Sequence, residues 1–298
     1  MKGVNSLSLY GNAVGDTGVE AMAQMKGVIN LNLGSSGIGD DGARSLSQMK
    51  GVATLLLANN QIKDTGAEHV SQIRGISNLD LSSNEIGADG ARSLSEMKGI
   101  VNFNLKSNQI GDNGARHIAK MKGITTLVLD SNGIEDAGAA YVSRMSAVRK
   151  LSLSSNKIGG AGALSIAQME GVSSLDLSSN EIGSIGAAHI SEMKGVDALY
   201  LSNNRIGVEV VPEISQMGAI TLDLSSNSIA EGAETDKVVE LVGAEALSPK
   251  TNPVSQPSVV EDTRSPSEVG SLGTMGRIVG GFKYGFRKFS RFFSRGGN

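Results

Sequence analysis

The chain has 298 residues, 27 Lys/Arg against 30 Asp/Glu, a formal net charge of −3, ten aromatic side chains and no cysteine. Lack of cysteine excludes a disulfide framework, thiolate metal sites and a cysteine nucleophile. Six Lys/Arg and no Asp/Glu fall in 276–298, which leaves 21 basic and 30 acidic residues elsewhere and argues against a nucleic-acid-binding body.

The N-terminal MKGVNSLSLY holds no apolar run long enough for a secretory leader, so none is expected. No stretch of about 18 apolar residues occurs, so no membrane-spanning helix is expected either.

From Met1 to about Ala230 the chain repeats every 24 residues, with one residue missing between Met217 and Leu222. ISNLDLSSNEIGADGARSLSEMKG (76–99) and VSSLDLSSNEIGSIGAAHISEMKG (172–195) show the period. Each repeat opens on L-x-L, as at Leu7 and Leu9, and Phe103 is the one aromatic in that first slot. The alternation predicts a short strand with one buried face. Three residues on stands Asn in nine of ten repeats, from Asn12 to Asn227, with Ser36 the exception. An amide beside buried leucines must bond backbone groups or cost a few kcal/mol.

The second half of each repeat predicts a helix. Asp16, Asp40, Asp64, Asp112 and Asp136 occupy an expected N-cap slot. Gly-Ala follows, then apolar residues at helical spacing, as in Ala43, Leu46 and Met49. Lys/Arg–Gly is expected to close the helix with a cation and a C′ glycine. In the ninth repeat Val210-Val211 replaces Gly-Ala, and the two valines are expected to push that helix outward. Residues 231–247 read as a polar capping helix over the last core edge.

These residues carry a family resemblance. L-x-L-x-x-N-x-I-x-x-x-G-A-x-x-I-A resembles the leucine-rich repeat, in the helix-bearing style of ribonuclease-inhibitor-like proteins. The short repeat is similar to those of bacterial proteins delivered into host cells, including the plant-pathogen family named for its GALA sequence. GARSLS (42–47) and GARHIA (114–119) fit that sequence loosely. Members of that family carry an F-box that recruits a ubiquitin ligase. The chain begins inside a repeat, so no such module is expected. The resemblance implies an α/β leucine-rich repeat solenoid: curved, with one parallel strand and one helix per repeat. It further implies a protein-binding concave strand face. Localisation is expected in the cytoplasm or in a host cell.

Two motifs inside the repeat suggest chemistry but follow from the period. Gly37-Ile38-Gly39-Asp40-Asp41-Gly42 spells G-x-G-x-x-G between strand and helix. A dinucleotide site would need an acid after the next strand, and Leu57-Ala58-Asn59 offers none. His69, His117 and His189 share one slot, two and three repeats apart. That is roughly 10 Å or more at one strand spacing per repeat, too far for a shared metal. No cofactor, metal, small-molecule substrate or enzymatic activity is expected.

The residue between the two leucines of each strand is expected on the concave face. Leu56, Asp80, Asn104, Val128, Asp176, Tyr200 and Asp223 are the candidate partner-binding residues in that column. Leu56, Val128 and Tyr200 read as exposed anchors in a polar row. Asp80, Asp130, Asp176 and Asp223 tilt the face toward a basic or polar protein partner.

Residues 1–247 therefore form the solenoid. Residues 248–276 hold four of the five prolines and read as a flexible linker. Residues 277–298 form the tail. On a helical wheel Ile278, Val279, Phe282, Phe286, Phe289 and Phe293 fall within roughly 100°, with Phe292 at the edge. Arg277, Lys283, Arg287, Lys288, Arg291 and Arg295 lie opposite. This is a basic amphipathic helix whose glycines weaken it by about 1 kcal/mol each, so it is expected to form when its aromatic face is buried. Phe282, Lys283, Phe286, Arg287, Lys288, Phe289, Arg291, Phe292, Phe293 and Arg295 are the candidate membrane-binding residues, the partner being an anionic membrane surface. A protein groove, docking onto the solenoid and a secretion signal are alternatives. The expected function is a protein-interaction scaffold tethered by its tail.

Overall fold

In the computed structural model, residues 4–229 and Ala246 are described. Ten strands of three residues alternate with helices. They run β1 (Ser6–Ser8), α1 (Gly15–Met22), β2 (Asn30–Asn32), α2 (Asp40–Leu46), β3 (Thr54–Leu56), α3 (Asp64–Ser71), β4 (Asn78–Asp80) and α4 (Ala88–Leu94). Then follow β5 (Asn102–Asn104), α5 (Gly111–Ile118), β6 (Thr126–Val128), α6 (Asp136–Val142), β7 (Lys150–Ser152) and α7 (Gly160–Ala167). Last come β8 (Ser174–Asp176), α8 (Gly183–Ser191), β9 (Ala198–Tyr200), a 3-10 turn (Val208–Val210), α9 (Val211–Ser215) and β10 (Thr221–Asp223). The strands form one open parallel sheet in sequence order. Register is one repeat per strand, so Leu31 faces Leu55 and Leu55 faces Leu79. This is the α/β solenoid of the sequence reading.

The core lies between sheet and helices. Leu33, Leu57, Leu81 and Leu105 are fully buried, as are Ala43, Ala67, Ala91 and Ala115 from the helices. Phe103 fits the leucine slot and is buried as well.

The asparagine slot joins consecutive repeats. Asn84 donates from Nδ2 to the carbonyls of Leu57, Leu81 and Ser82 at 3.0, 3.0 and 3.1 Å. Its Oδ1 accepts from Ile62 N at 3.0 Å. Asn60, Asn108, Asn156, Asn180 and Asn204 donate in the same way. Ser36 keeps the donor role, its hydroxyl reaching Leu9 O at 3.3 Å and Gly34 O at 3.2 Å.

The aspartate slot differs from the expected N-cap. Asp40, Asp64 and Asp136 open their helices, while Asp16 and Asp112 sit one residue inside theirs, and none caps its own helix. Each carboxylate instead serves the next repeat. Asp40 Oδ1 accepts from Lys63 N at 2.8 Å and Gly66 N at 2.9 Å. Asp64, Asp112 and Asp136 do the same for Gly87 and Gly90, Glu135 and Gly138, and Gly159 and Gly162. Asp16 reaches Gly39 N, and Ser184 Oγ reaches Gly207 N. The physical reason is packing distance. A Cβ on Gly42 or Gly66 would lie 2.5 or 2.4 Å from the preceding aspartate's Oδ1, so stacked helices approach closely enough to cap one another.

This capping selects between two loop conformations. Beside a preceding Asp or Ser, the residue ahead of the helix is extended: Gly39, Lys63, Gly87, Glu135, Gly159 and Gly207. Ala88 and Gly160 cannot accept such bonds. In the repeats that follow them, and in the first described repeat, the helix opens on a glycine at positive φ: Gly111 (55°), Gly183 (63°) and Gly15 (58°). Their N–H groups turn to the carbonyls of Asn132, Asn204 and Ser36, at 2.9 Å each.

Two more expectations are corrected. The Lys/Arg–Gly glycines are not C′ caps. Helix α2 ends at Leu46, and Gly51, with φ 84°, comes after a further tight turn in which Met49 N bonds Leu46 O at 2.9 Å. Those glycines redirect the chain into the next strand. In the ninth repeat the valines are absorbed by tightening the first turn to 3-10, and Val210 and Val211 are both buried. Of the expected capping helix, Ala246 is buried and its carbonyl accepts from Leu224 N at 2.6 Å. The rest of that helix, the linker and the tail lie outside the described residues.

Asp40→Ala should destabilise the chain by about 1–3 kcal/mol, because two backbone donors lose their acceptor. Asp64→Ala should cost less, because Gly87 can adopt the conformation of Gly111 whereas Lys63 resists positive φ. Adding Lys63→Gly to Asp40→Ala should restore part of the loss. Urea and thermal melts of the variants check the ranking.

Candidate functional site

The leucines of each strand point inward, so the residue between them and those just outside the pair face the other way. On this strand face Asn32 and Asn104 are half-buried. Leu56, Val128 and Tyr200, expected as exposed anchors, are 8%, 2% and 4% exposed. Asp80, Asp176 and Asp223 are buried as well. The in-register ladder explains the crowding, since each side chain has same-slot neighbours about 4.8 Å away on both flanks. Val128 stands between Asn104 and Ser152, and Tyr200 between Asp176 and Asp223.

Most acidic and amide residues of this column have a local task. Asn32, Asp80, Asn104, Asp176 and Asp223 each accept, through Oδ1, the backbone N–H two residues on, at 2.8–3.0 Å. These are Asx turns at the strand exit. They hold the carboxylates in one orientation along the face. Asp130, at the next outward slot of its strand, accepts from Ser154 N at 3.2 Å and from Ser152 Oγ, and lies 3.6 Å from Lys106 Nζ.

Burial raises the Asp80 carboxyl above the usual carboxylate range, opposed by the hydrogen bonds of Ser82 and Asn104. Burial, then the charges of Asp176 and Asp223, push the Tyr200 phenol up. Two hydroxyls on the neighbouring strands are buried, Ser174 Oγ two residues before Asp176 and Ser225 Oγ two residues after Asp223, neither with a hydrogen-bond partner among the described residues.

The two edges of the sheet carry opposite charge. The loops entering the helices and the first helical turns of the first six repeats hold Asp16, Asp40, Asp41, Asp64, Glu85, Asp89, Asp112, Asp130, Glu135 and Asp136, against the two cations Lys63 and Lys106. Loops leaving the helices hold Lys26, Lys50, Arg74, Lys98, Lys120, Lys122, Arg144 and Arg149, with Glu96 as the one carboxylate in residues 23–29, 47–53, 71–77, 95–101, 119–125 and 143–149. The eight cations are exposed. Among the described residues the ion pairs are Lys63–Glu85, Lys106–Asp130, Lys157–Glu135 and Arg205–Glu181, and none involves the helix-exit edge. Partial burial and then Lys120, Arg92 and Arg116 hold His117 below the usual imidazole value. Arg116 and Arg144 also lie 5.9 and 5.3 Å from the Tyr141 ring centre.

Leucine-rich repeat family models match the chain at 122–182 and 146–206, and at 4–23, 30–47, 77–95 and 102–119. Together they span more than half of it. The chain belongs to the leucine-rich repeat family.

Among solved structures, the array is similar to a leucine-rich repeat protein of Leptospira interrogans. The TM-score is 0.58 at 22% identity, over 81% of this chain and 59% of that one. A plant ice-binding protein matches with TM-score 0.48 and 19% identity, over 63% of this chain and 60% of that one. The chain thus spans about three-fifths of the length of each. No curated protein matches it.

Within the repeat array, the G-x-G-x-x-G stretch has its donor already engaged, since Gly39 N bonds Asp16 Oδ1 at 2.7 Å. A carboxylate there repels a phosphate. His69, His117 and His189 are half-exposed on α3, α5 and α8. No group of three metal-ligating side chains comes together among the described residues. No described helix is long and apolar enough to cross a membrane.

A helix-side surface escaped the strand-centred sequence reading. Helices α7 (GAGALSIA) and α8 (GSIGAAHIS) contain no Lys, Arg, Asp or Glu. Leu164 and Ile185 are exposed there, beside a groove of about 570 Å³ lined also by Ala161, Ile182 and His189. The signal in the sequence was the absence of charge from two consecutive helices.

Asp80 gives a pH-dependent prediction. Its folded pKa is raised, so the charged form is disfavoured in the fold. That cost is present above the folded pKa and vanishes below the ordinary value of about 3.9. Asn at this slot keeps the Oδ1 acceptor, as Asn32 and Asn104 do. Asp80→Asn should therefore raise the melting temperature at pH 7 and leave it unchanged near pH 3, as thermal melts across pH would show.

Proposed function

We propose that this leucine-rich repeat protein is an interaction scaffold whose strand face takes a basic protein segment, and whose tail, Phe282–Arg295, holds it at an anionic membrane. The observation that carries the first part is the acid row Asp80, Asp130, Asp176 and Asp223, each of whose members accepts a backbone N–H group. A cationic side chain arriving there meets oxygens already held in place, which lowers the ordering cost of binding. Burial strengthens such a contact by excluding water.

Asp80→Asn, Asp176→Asn and Asp223→Asn together remove three charges while keeping each acceptor oxygen. The triple variant should lose salt-sensitive protein partners captured from native-cell extract. Tyr200→Ala should weaken the same capture. An unchanged set of bound proteins at low salt removes the acid row from the binding surface.

The tail lies outside the described residues, and its sequence supports the second part. Its aromatics and cations segregate on a helical wheel, the pattern of an interfacial helix. The short repeat and the basic terminus also support delivery of the protein into a host cell. Full-length protein should float with vesicles containing phosphatidylserine, whereas a chain ending at Gly276 should not. Equal recovery of the two defeats the tether.

A further inference from the structure

We propose that the helix-exit edge of the repeat array is the surface that lies against the anionic bilayer. The inference rests on the tail's reading as a membrane tether and adds the orientation of the body.

Lys26, Lys50, Arg74, Lys98 and Lys122 occupy one slot in five consecutive repeats. The in-register ladder stacks that slot, so the five cations form a continuous row, about 20 Å long at the sheet side. All five are exposed, and no ion pair among the described residues involves them. Lys120 and Arg144 continue the positive surface on the same edge.

Helix polarity accounts for part of this charge. The helices run parallel, so their negative ends all point to this edge, and cations are favoured there. Each helix end carries only about half an elementary charge, and that influence fades within the last turn. Lys50 stands four residues beyond the end of α2. The edge therefore keeps a surplus of positive charge.

The row has the form a bilayer needs. It is continuous and made of long flexible side chains, and a fluid headgroup layer can meet it without a shaped counterpart. Its sign reverses after the sixth repeat, where Glu170, Glu192 and Asp197 outnumber Lys194 on the same edge. Contact is thus confined to the first six repeats. With this edge down, the strands stand upright from the membrane and the strand face remains open sideways to a partner.

Charge reversal in the full-length chain tests the proposal. Arg74→Glu, Lys98→Glu and Lys122→Glu are compared with Lys63→Glu, Lys157→Glu and Arg205→Glu on the opposite edge, which change the net charge equally. Vesicles contain phosphatidylcholine with or without phosphatidylserine, and thermal melts confirm that each variant folds. A cation near an anionic surface contributes about fivefold to partitioning. The first triple should weaken binding to anionic vesicles at least tenfold and the second by less than threefold. Equal weakening by both triples means that only net charge matters and overturns the edge. Loss of binding on truncation at Gly276, with the first triple without effect, overturns the edge and leaves the tether standing. Loss caused by the first triple with truncation harmless keeps the edge and overturns the tether. No binding by the full-length chain overturns both.

Discussion

Everything in the array depends on satisfying an amide buried between repeats. A strand of three residues offers few ladder bonds, and the turn after it leaves backbone groups facing the core. The asparagine side chain closes them, donating to carbonyls of its own and the preceding repeat and accepting from an amide there. An unpaired buried polar group costs about 1–3 kcal/mol, so the slot tolerates little else. Ser36 shows the minimum requirement: it still donates, over longer distances.

Once the asparagines lock the register, every other slot becomes a column. Glycine appears where stacked helices leave no room for a Cβ, and aspartate appears where the next helix needs an acceptor. Capping in trans turns each repeat into a template for the loop of its successor. That is why Lys63 and Glu135 can stand where Gly15, Gly111 and Gly183 are needed elsewhere. Stability in such an array is a sum of repeat and neighbour terms, and here much of the neighbour term is hydrogen bonding.

The same columns organise charge. Acids gather where helices begin and cations where they end, and stacking turns a local preference into two oppositely charged edges. The strand face is a third column, in which crowding buries the residues that alternation alone would expose. The array thereby presents three distinct surfaces: an oriented acid row on the strands, a cationic edge, and an uncharged patch on α7 and α8.

The repeat length, the strand and helix of each unit, the leucine core and the need to bond the asparagine were all legible in the sequence. Each is a periodic pattern whose physics is local to one repeat. What only the tertiary structure decided lies between repeats. The aspartates reach forward to the next helix, the loop glycines split into two conformations, and Leu56, Val128 and Tyr200 sink between their neighbours. The Asx turns also depend on geometry that no spacing reveals, because Asp80, Asp176 and Asp223 look like free surface acids until their oxygens are placed beside backbone amides. A period of 24 residues says which side chains share a slot. Only packing at strand spacing says which of them touch.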